Sequence, residues 1–165
     1  GEMVLFGGAF YSCPDPAGSP LNISDLTRET PFAMATTFEP QVESSLTNIE
    51  NYDALKEFLD RHLNADKHYA ILIRGLFHLL DLQCVQPVTE PGLKFEQVGQ
   101  KRARSTHRRT ATLVGFRLGT GVEAFNKPGY HFHGLVGTAS GGHVLDFGLS
   151  SARISIQEMD GIVGP

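Results

Sequence analysis

Three histidines lie close together near the end of the sequence, in two segments with the composition of strands. His131 and His133 belong to Gly-Tyr-His-Phe-His (129–133), and His143 belongs to Gly-Gly-His-Val-Leu-Asp-Phe (141–147). Side chains alternate between the faces of a strand, so the first two imidazoles are expected on one face. The glycine-rich stretch 134–142 suits a chain reversal, which would bring His143 beside them on a returning strand. Three converging imidazoles can bind a divalent metal, and an open fourth position would permit catalysis.

The simplest alternative is that these are ordinary sheet histidines with no common ligand. An H-x-H pair followed by a third histidine across a reversal favours the metal site over that alternative. Zinc is the first choice because the donors are nitrogens and no cysteine lies nearby. Imidazole also binds other divalent metals, so the pattern predicts a metal more firmly than it predicts which metal.

Composition narrows the class of protein. The 165 residues, 41% hydrophobic and 19% charged, are enough for one well-buried domain or two small lobes. A net charge of −4 argues against nucleic acid as a partner. No apolar run reaches membrane-spanning length and no signal peptide is visible, so no membrane partner is expected. The two cysteines, Cys13 and Cys84, do not make a disulfide framework, which predicts a reduced, cytoplasmic protein.

One helix is the clearest element of the N-terminal half. Thr47-Asn48-Ile49-Glu50 has the form of a capping box, and apolar residues follow it at helical spacing. These apolar residues are Tyr52, Leu55, Phe58, Leu59 and Leu63. The pattern predicts a helix over about 49–63 with one apolar face packed on a sheet.

Strand-like segments fill most of the remaining chain, and a hairpin is expected at Gly7-Gly8. Besides the histidine hairpin, they are Met3–Phe6, Ala9–Tyr11, Tyr69–Ile73, Leu76–Val85, Thr110–Leu118 and Ser151–Glu158. This order predicts an α+β fold in which curved mixed or antiparallel sheets carry the one main helix. We expect a single unit over 1–165, with sub-lobes of about 1–88 and 89–165 as the alternative. The basic stretch 101–109 is interpreted as a solvated connection, because no aromatic residues are interleaved.

The motif G-Y-H-F-H … G-G-H-V-L-D-F resembles that of the alpha-acetolactate decarboxylases. Gly-Glu-Met-Val-Leu at the start resembles the family's Gly-Glu-Leu strand, and Thr30-Pro31-Phe32-Ala33 resembles its next block. The segment 69–77 resembles the family's strand pair after the helix, and Leu113-Val114-Gly115-Phe116 resembles its strand before the histidine motif. The match keeps one order from the first residue to about Glu158, so it covers nearly the whole chain.

The resemblance implies a zinc-dependent carbon–carbon lyase that converts 2-acetolactate to acetoin and carbon dioxide. By position, the zinc ligands would be His131, His133 and His143. Loss of carbon dioxide from a 2-hydroxy-3-keto acid leaves an enediolate, whose charge a metal cation stabilises as it forms. A positioned acid must then protonate one face, and Glu2 stands where the family has a glutamate that serves this site. A small keto or hydroxy acid is the expected partner, and a homodimer is the assembly expected if the chain oligomerises.

The chain departs from the family pattern at positions that the resemblance assigns to substrate binding. The family's Arg-Ser-Val-Pro segment, whose arginine helps hold the substrate carboxylate, is aligned with Gln83-Cys84-Val85-Gln86. Gln83 therefore takes a catalytic position but cannot neutralise charge. The loop between His133 and His143 is shorter than usual and lacks the family's acidic residues. The family's N-terminal and C-terminal extensions, including a C-terminal glutamate, are expected to be absent.

Three hypotheses about function follow from this comparison. The first is an authentic acetolactate decarboxylase. The second is a zinc enzyme of the same fold that decarboxylates, isomerises or cyclises another keto or hydroxy-keto acid, and loss of the arginine would then favour a less anionic substrate. The third is a non-catalytic module that keeps the metal for stability or binds a small molecule.

Overall fold

The computed structural model describes residues 2–13, 22–23, 33–84, 102–123, 126–137 and 140–162. Strands dominate this part of the chain, and α1 is the one α-helix in it. In chain order the elements are β1 (Glu2–Phe6), β2 (Ala9–Cys13), β3 (Asn22–Ile23), β4 (Val42–Ile49), α1 (Tyr52–Asp60), β5 (His68–Cys84), β6 (Arg102–Thr106), β7 (Arg109–Leu118), β8 (Gly129–Val136) and β9 (Ser140–Met159).

Four strands pair in a closed circuit. β5 pairs with β7, β7 with β8, β8 with the start of β9, and β9 returns along the whole of β5. β4 adds to the outer side of β9 and β6 to the end of β5, and all these pairings are antiparallel. Because each strand in the circuit has partners on both sides, its backbone positions are fixed by hydrogen bonds, and the circuit provides a rigid support for side chains.

The main core lies on the face of these strands that carries Phe77, Phe132 and Phe147, each 0% exposed. Helix α1 covers this face with Leu55 and Leu59, which belong to the same apolar cluster. Full burial of one such side chain is worth about 1.5–3 kcal/mol. The expected α+β architecture, with one helix packed on curved sheets, is confirmed.

The start of the helix differs from the prediction. Residues 47–49 continue strand β4 in its pairing with β9, so the capping-box interpretation of Thr47–Glu50 is wrong. Asn51 is the N-cap instead, and its side-chain oxygen accepts a hydrogen bond from the Ala54 N–H at 2.8 Å. The Tyr52 N–H donates to Asp146 Oδ1 at 2.9 Å, which ties the first turn of α1 to β9.

Two strand boundaries also differ. Tyr69–Ile73 and Leu76–Val85 were expected as separate strands joined near Gly75, but β5 runs unbroken through Gly75 with irregular register further on. A Cβ built on Gly75 would lie 2.2 Å from the Ser151 carbonyl oxygen, so the missing side chain allows β5 and β9 to approach closely. The returning limb of the motif hairpin, residues 143–147, and Ser151–Glu158 are likewise parts of one long strand, β9.

A second, three-stranded sheet is formed by β1, β2 and β3, and the hairpin expected at Gly7-Gly8 is confirmed. It contacts the circuit through a small apolar cluster of Val4, Cys84 and Leu135. Cys84 is disulfide-bonded, so the expectation of a reduced protein is wrong at this residue. The side chain of Cys13, the other cysteine in the sequence, lies outside the described residues.

Candidate metal centre

Strands β8 and β9 place the three predicted histidines together. Phe132 points into the core, and the alternation of β8 therefore puts His131 and His133 on the opposite face. The β8–β9 register sets His143 directly opposite His133. One ring nitrogen from each of the three histidines lies within 4.8 Å of the other two, which makes a group able to hold a metal ion.

The spacing of the ring nitrogens matches that of ligands around one metal ion. His131 Nε2 lies 3.0 Å from His133 Nε2 and 3.3 Å from His143 Nδ1. Tetrahedral zinc with bonds of about 2.0–2.1 Å separates two nitrogen ligands by about 3.3–3.4 Å. A metal ion held here would be bound through Nε2 of His131 and His133 and Nδ1 of His143. Nitrogen donors of this kind fit zinc and other divalent transition metals.

A backbone carbonyl orients the central histidine. His133 Nδ1 lies 2.9 Å from the Met3 carbonyl oxygen, and since a carbonyl only accepts, the ring nitrogen must be the donor. The proton therefore sits on Nδ1, and the lone pair of Nε2 faces the other two histidines. Such outer contacts hold a ligating imidazole in the tautomer that binds metal. Nothing in the sequence singles out Met3, because the contact uses its backbone and not its side chain.

Partial desolvation favours the neutral form of two of the imidazoles, those of His131 and His133. Desolvation lowers the pKa of His131 below its ordinary value, and the nearby Glu2 carboxylate opposes this only in part. Desolvation, and then the charge of His131, lower the pKa of His133 to about 4, against a smaller opposing effect of the Met3 carbonyl. Both rings are therefore mainly neutral at neutral pH, with one ring nitrogen free of a proton, which is the state that metal binding needs.

Glu2, at the start of β1, lies beside this group. Its Oε2 is 3.3 Å from His133 Nε2, and the two side chains are 22% and 17% exposed. Since His133 is neutral, the contact is not an ion pair between opposite charges. It places a carboxylate oxygen next to the point on which the imidazole nitrogens converge, where it can accept a proton from a bound molecule or return one to it.

Gln83 is brought to the same edge of the site. It is the register partner of His143 on β5, and it is half-buried. A Cβ built on Gly142 would lie 2.5 Å from the Gln83 carbonyl oxygen, which shows that β5 and β9 are in close contact here. The structure thus brings all five predicted site residues together. Among the residues that the structure describes, the Gln83 amide has no hydrogen-bond partner, which leaves it available to a ligand.

Comparison with known proteins shows which protein family this chain matches. The sequence model of the family described as "Alpha-acetolactate decarboxylase" matches residues 1–163. The chain belongs to this family. Among similar acetolactate decarboxylases, that of Brevibacillus brevis is 31% identical over 94% of this chain and 55% of its own length. That of Methanosarcina mazei is 33% identical over 88% of this chain and 51% of its own length. The chain therefore spans about half the length of these two relatives.

The fold likeness to solved acetolactate decarboxylases is close. The crystal structure of alpha-acetolactate decarboxylase from Bacillus subtilis strain 168 superposes with a TM-score of 0.89 at 25% identity, covering 96% of this chain and 68% of that one. The family resemblance predicted from the sequence is thereby confirmed. Within the described part of the chain, no helix combines the length and the apolar character needed to cross a membrane.

Proposed function

We propose that this chain is a metal-dependent decarboxylase that converts 2-acetolactate to acetoin and carbon dioxide, with zinc as the metal. The observation that carries the proposal is the convergence of three imidazole nitrogens at ligand spacing, beside the carboxylate of Glu2. Zinc held by His131, His133 and His143 would act as a Lewis acid for the ketone and hydroxyl oxygens of the substrate, where negative charge develops as carbon dioxide leaves.

Glu2 is assigned the proton transfer. Its carboxylate reaches the position where the substrate oxygens would sit, and its own backbone is fixed by the pairing of β1 with β2. It can accept the hydroxyl proton of the substrate and deliver a proton to one face of the enediolate. General acid–base groups placed in this way contribute about 10²–10⁴-fold to rate. The adjacent Met3 carbonyl holds His133 at the same time, so one short strand positions both the acid–base group and a ligand.

Gln83 is assigned a contact with the substrate carboxylate or carbonyl. Its amide N–H₂ can donate a hydrogen bond, but it supplies no charge to an anion. The substitution of glutamine for the family's arginine supports a second candidate, a reaction of the same type on a keto or hydroxy-keto acid with less negative charge. The non-catalytic module is the third candidate, and it predicts no turnover of any such substrate.

An acetoin colour assay separates these candidates. Purified protein loaded with zinc is incubated with racemic 2-acetolactate, and acetoin is measured over time. We expect enzyme-dependent acetoin formation, lost in Glu2→Gln although zinc stays bound. If acetolactate is not consumed while the metal is present, acetolactate decarboxylation is excluded. A panel of other 2-hydroxy-3-keto and β-keto acids then tests the second candidate, and absence of any turnover supports the third.

The class of substrate follows from the proposed chemistry, whereas the assembly and the location do not. A small keto or hydroxy acid is the proposed partner, and the homodimer stays a prediction. The cytoplasmic location also stays a prediction, and the disulfide at Cys84 is a feature more typical of oxidising compartments.

A further inference from the structure

A groove lies on the outer surface of strands β4, β9, β5 and β7, separate from the metal centre. Its volume is about 770 Å³, and neither Glu2, Gln83 nor any of the three clustered histidines lines it. Two rows of cross-strand neighbours form its floor, and the register fixes both. One row is Ser45–Arg153–Arg74, and the other is Thr47–Ser151–Leu76–Thr110.

Two arginines stand directly opposite each other in this groove. Arg74 on β5 and Arg153 on β9 are register partners, and like charges in this relation destabilise an antiparallel pair. Counting the described residues alone, one of the two charges has a carboxylate partner and the other has none. Arg153 Nη2 donates to Glu43 Oε2 at 3.2 Å, and Glu43 Oε1 accepts a further hydrogen bond from Ser155 Oγ at 3.0 Å.

Arg74 has no carboxylate partner among the residues that the structure describes. Instead the ring of Phe6 lies against it, with 4.8 Å between the guanidinium carbon and the ring centroid. Such a contact orients the guanidinium plane but does not neutralise its charge. Within the described ranges, the groove therefore has one oriented positive charge that no carboxylate balances.

Hydroxyl groups and one apolar side chain complete the lining. Ser45, Thr47, Thr110 and Ser151 line the same groove as Arg74 and bring four hydroxyls to it. Within the described part of the chain, none of the four makes a side-chain hydrogen bond, so they are available to an acceptor. Leu76, 43% exposed, lies in the same row and offers an apolar surface.

We propose that this groove binds a small organic anion, a carboxylate or a phosphate ester. Its anionic group would pair with the guanidinium of Arg74 and accept hydrogen bonds from the neighbouring hydroxyls, and its body would lie along Leu76. The planar fork of arginine matches both carboxylate and phosphate oxygens, and the volume is within the range of small-molecule sites. Glu43 keeps Arg153 paired, so the guanidinium of Arg74 is the group left to meet the anion.

Calorimetric titration of the zinc-loaded protein tests this site. Succinate and phenyl phosphate are titrated separately at constant ionic strength, with chloride as the balancing anion, so that the two runs distinguish carboxylate from phosphate recognition. We expect saturable binding of at least one of them, weakened tenfold or more by Arg74→Gln. The matched control Arg61→Gln changes an exposed arginine outside the groove and should leave the affinity unchanged.

Two results would overturn the proposal. One is the absence of saturable binding of both anions. The other is equal affinity in the wild type and in a folded Arg74→Gln variant, since the anion would then be bound elsewhere, for example at the metal. Arg74→Lys adds a second test, because it keeps the charge but loses the fork and should bind with intermediate affinity. Acetoin formation is not the readout, so failure here is separable from failure of the decarboxylase proposal.

Discussion

The buried histidine at the centre of the site makes the metal-free protein sensitive to acid, and the size of the effect can be worked out. His133 has a pKa of about 4 in the folded chain, against 6.5 for the free side chain. Below pH 6.5 the His133 side chain binds a proton in the unfolded chain, whereas in the folded chain it does so only near pH 4. The free energy of unfolding therefore falls as the pH drops through this window. A difference of about 2.5 pKa units corresponds to about 3 kcal/mol.

Urea unfolding of metal-free protein between pH 8 and pH 4 measures this loss, and His133→Gln is the matched variant because glutamine does not titrate. We expect the wild type to lose about 3 kcal/mol more than the variant across the window. Excess zinc should stabilise the wild type at pH 8 and make its loss on acidification steeper, because the metal-bound folded chain binds even fewer protons than the metal-free folded chain. Parallel stability profiles of the two metal-free proteins would refute the claim that burial, enforced by β1, keeps His133 neutral.

Further predictions concern the acid–base group, the departure from the family and the packing of β5 on β9. Glu2→Gln keeps the shape but removes the charge, and turnover of acetolactate should fall by about 10²–10⁴-fold with little change in metal content, as measured by elemental analysis. Gln83→Arg should raise the rate of acetolactate decarboxylation above wild type in the acetoin assay, and an unchanged rate in a folded variant would count against contact with the substrate. Gly75→Ala should lower the melting temperature, because its Cβ would meet the Ser151 carbonyl at 2.2 Å, whereas the exposed surface change Glu57→Ala should have little effect.

The metal centre was largely predictable because it depends on strand alternation. An H-x-H pair must share a face, and a single reversal brings the third histidine opposite, as the His133–His143 register shows. The tautomer of His133 was not predictable, since it depends on a backbone carbonyl from the distant strand β1. Only the packing of the second sheet on the circuit creates that contact.

The predicted boundaries of the helix and strands were wrong where local sequence signals competed with strand pairing. Thr47–Glu50 satisfies a local capping pattern, but the ladder with β9 extends through Ile49 and moves the cap to Asn51. Gly75 suggested a break between strands, although its missing side chain is what lets β5 continue against β9. In both places the sequence showed the local preference correctly, but tertiary contacts outweighed it.

The metal content of the purified protein tests the central claim most directly. Elemental analysis is performed on protein prepared without chelator and loaded with zinc, for the wild type, His133→Ala and the control His107→Ala, which changes an exposed histidine outside the cluster. We predict one metal ion per chain in the wild type and the control, and a loss of most of it in His133→Ala. Equal metal content in all three proteins would contradict the account.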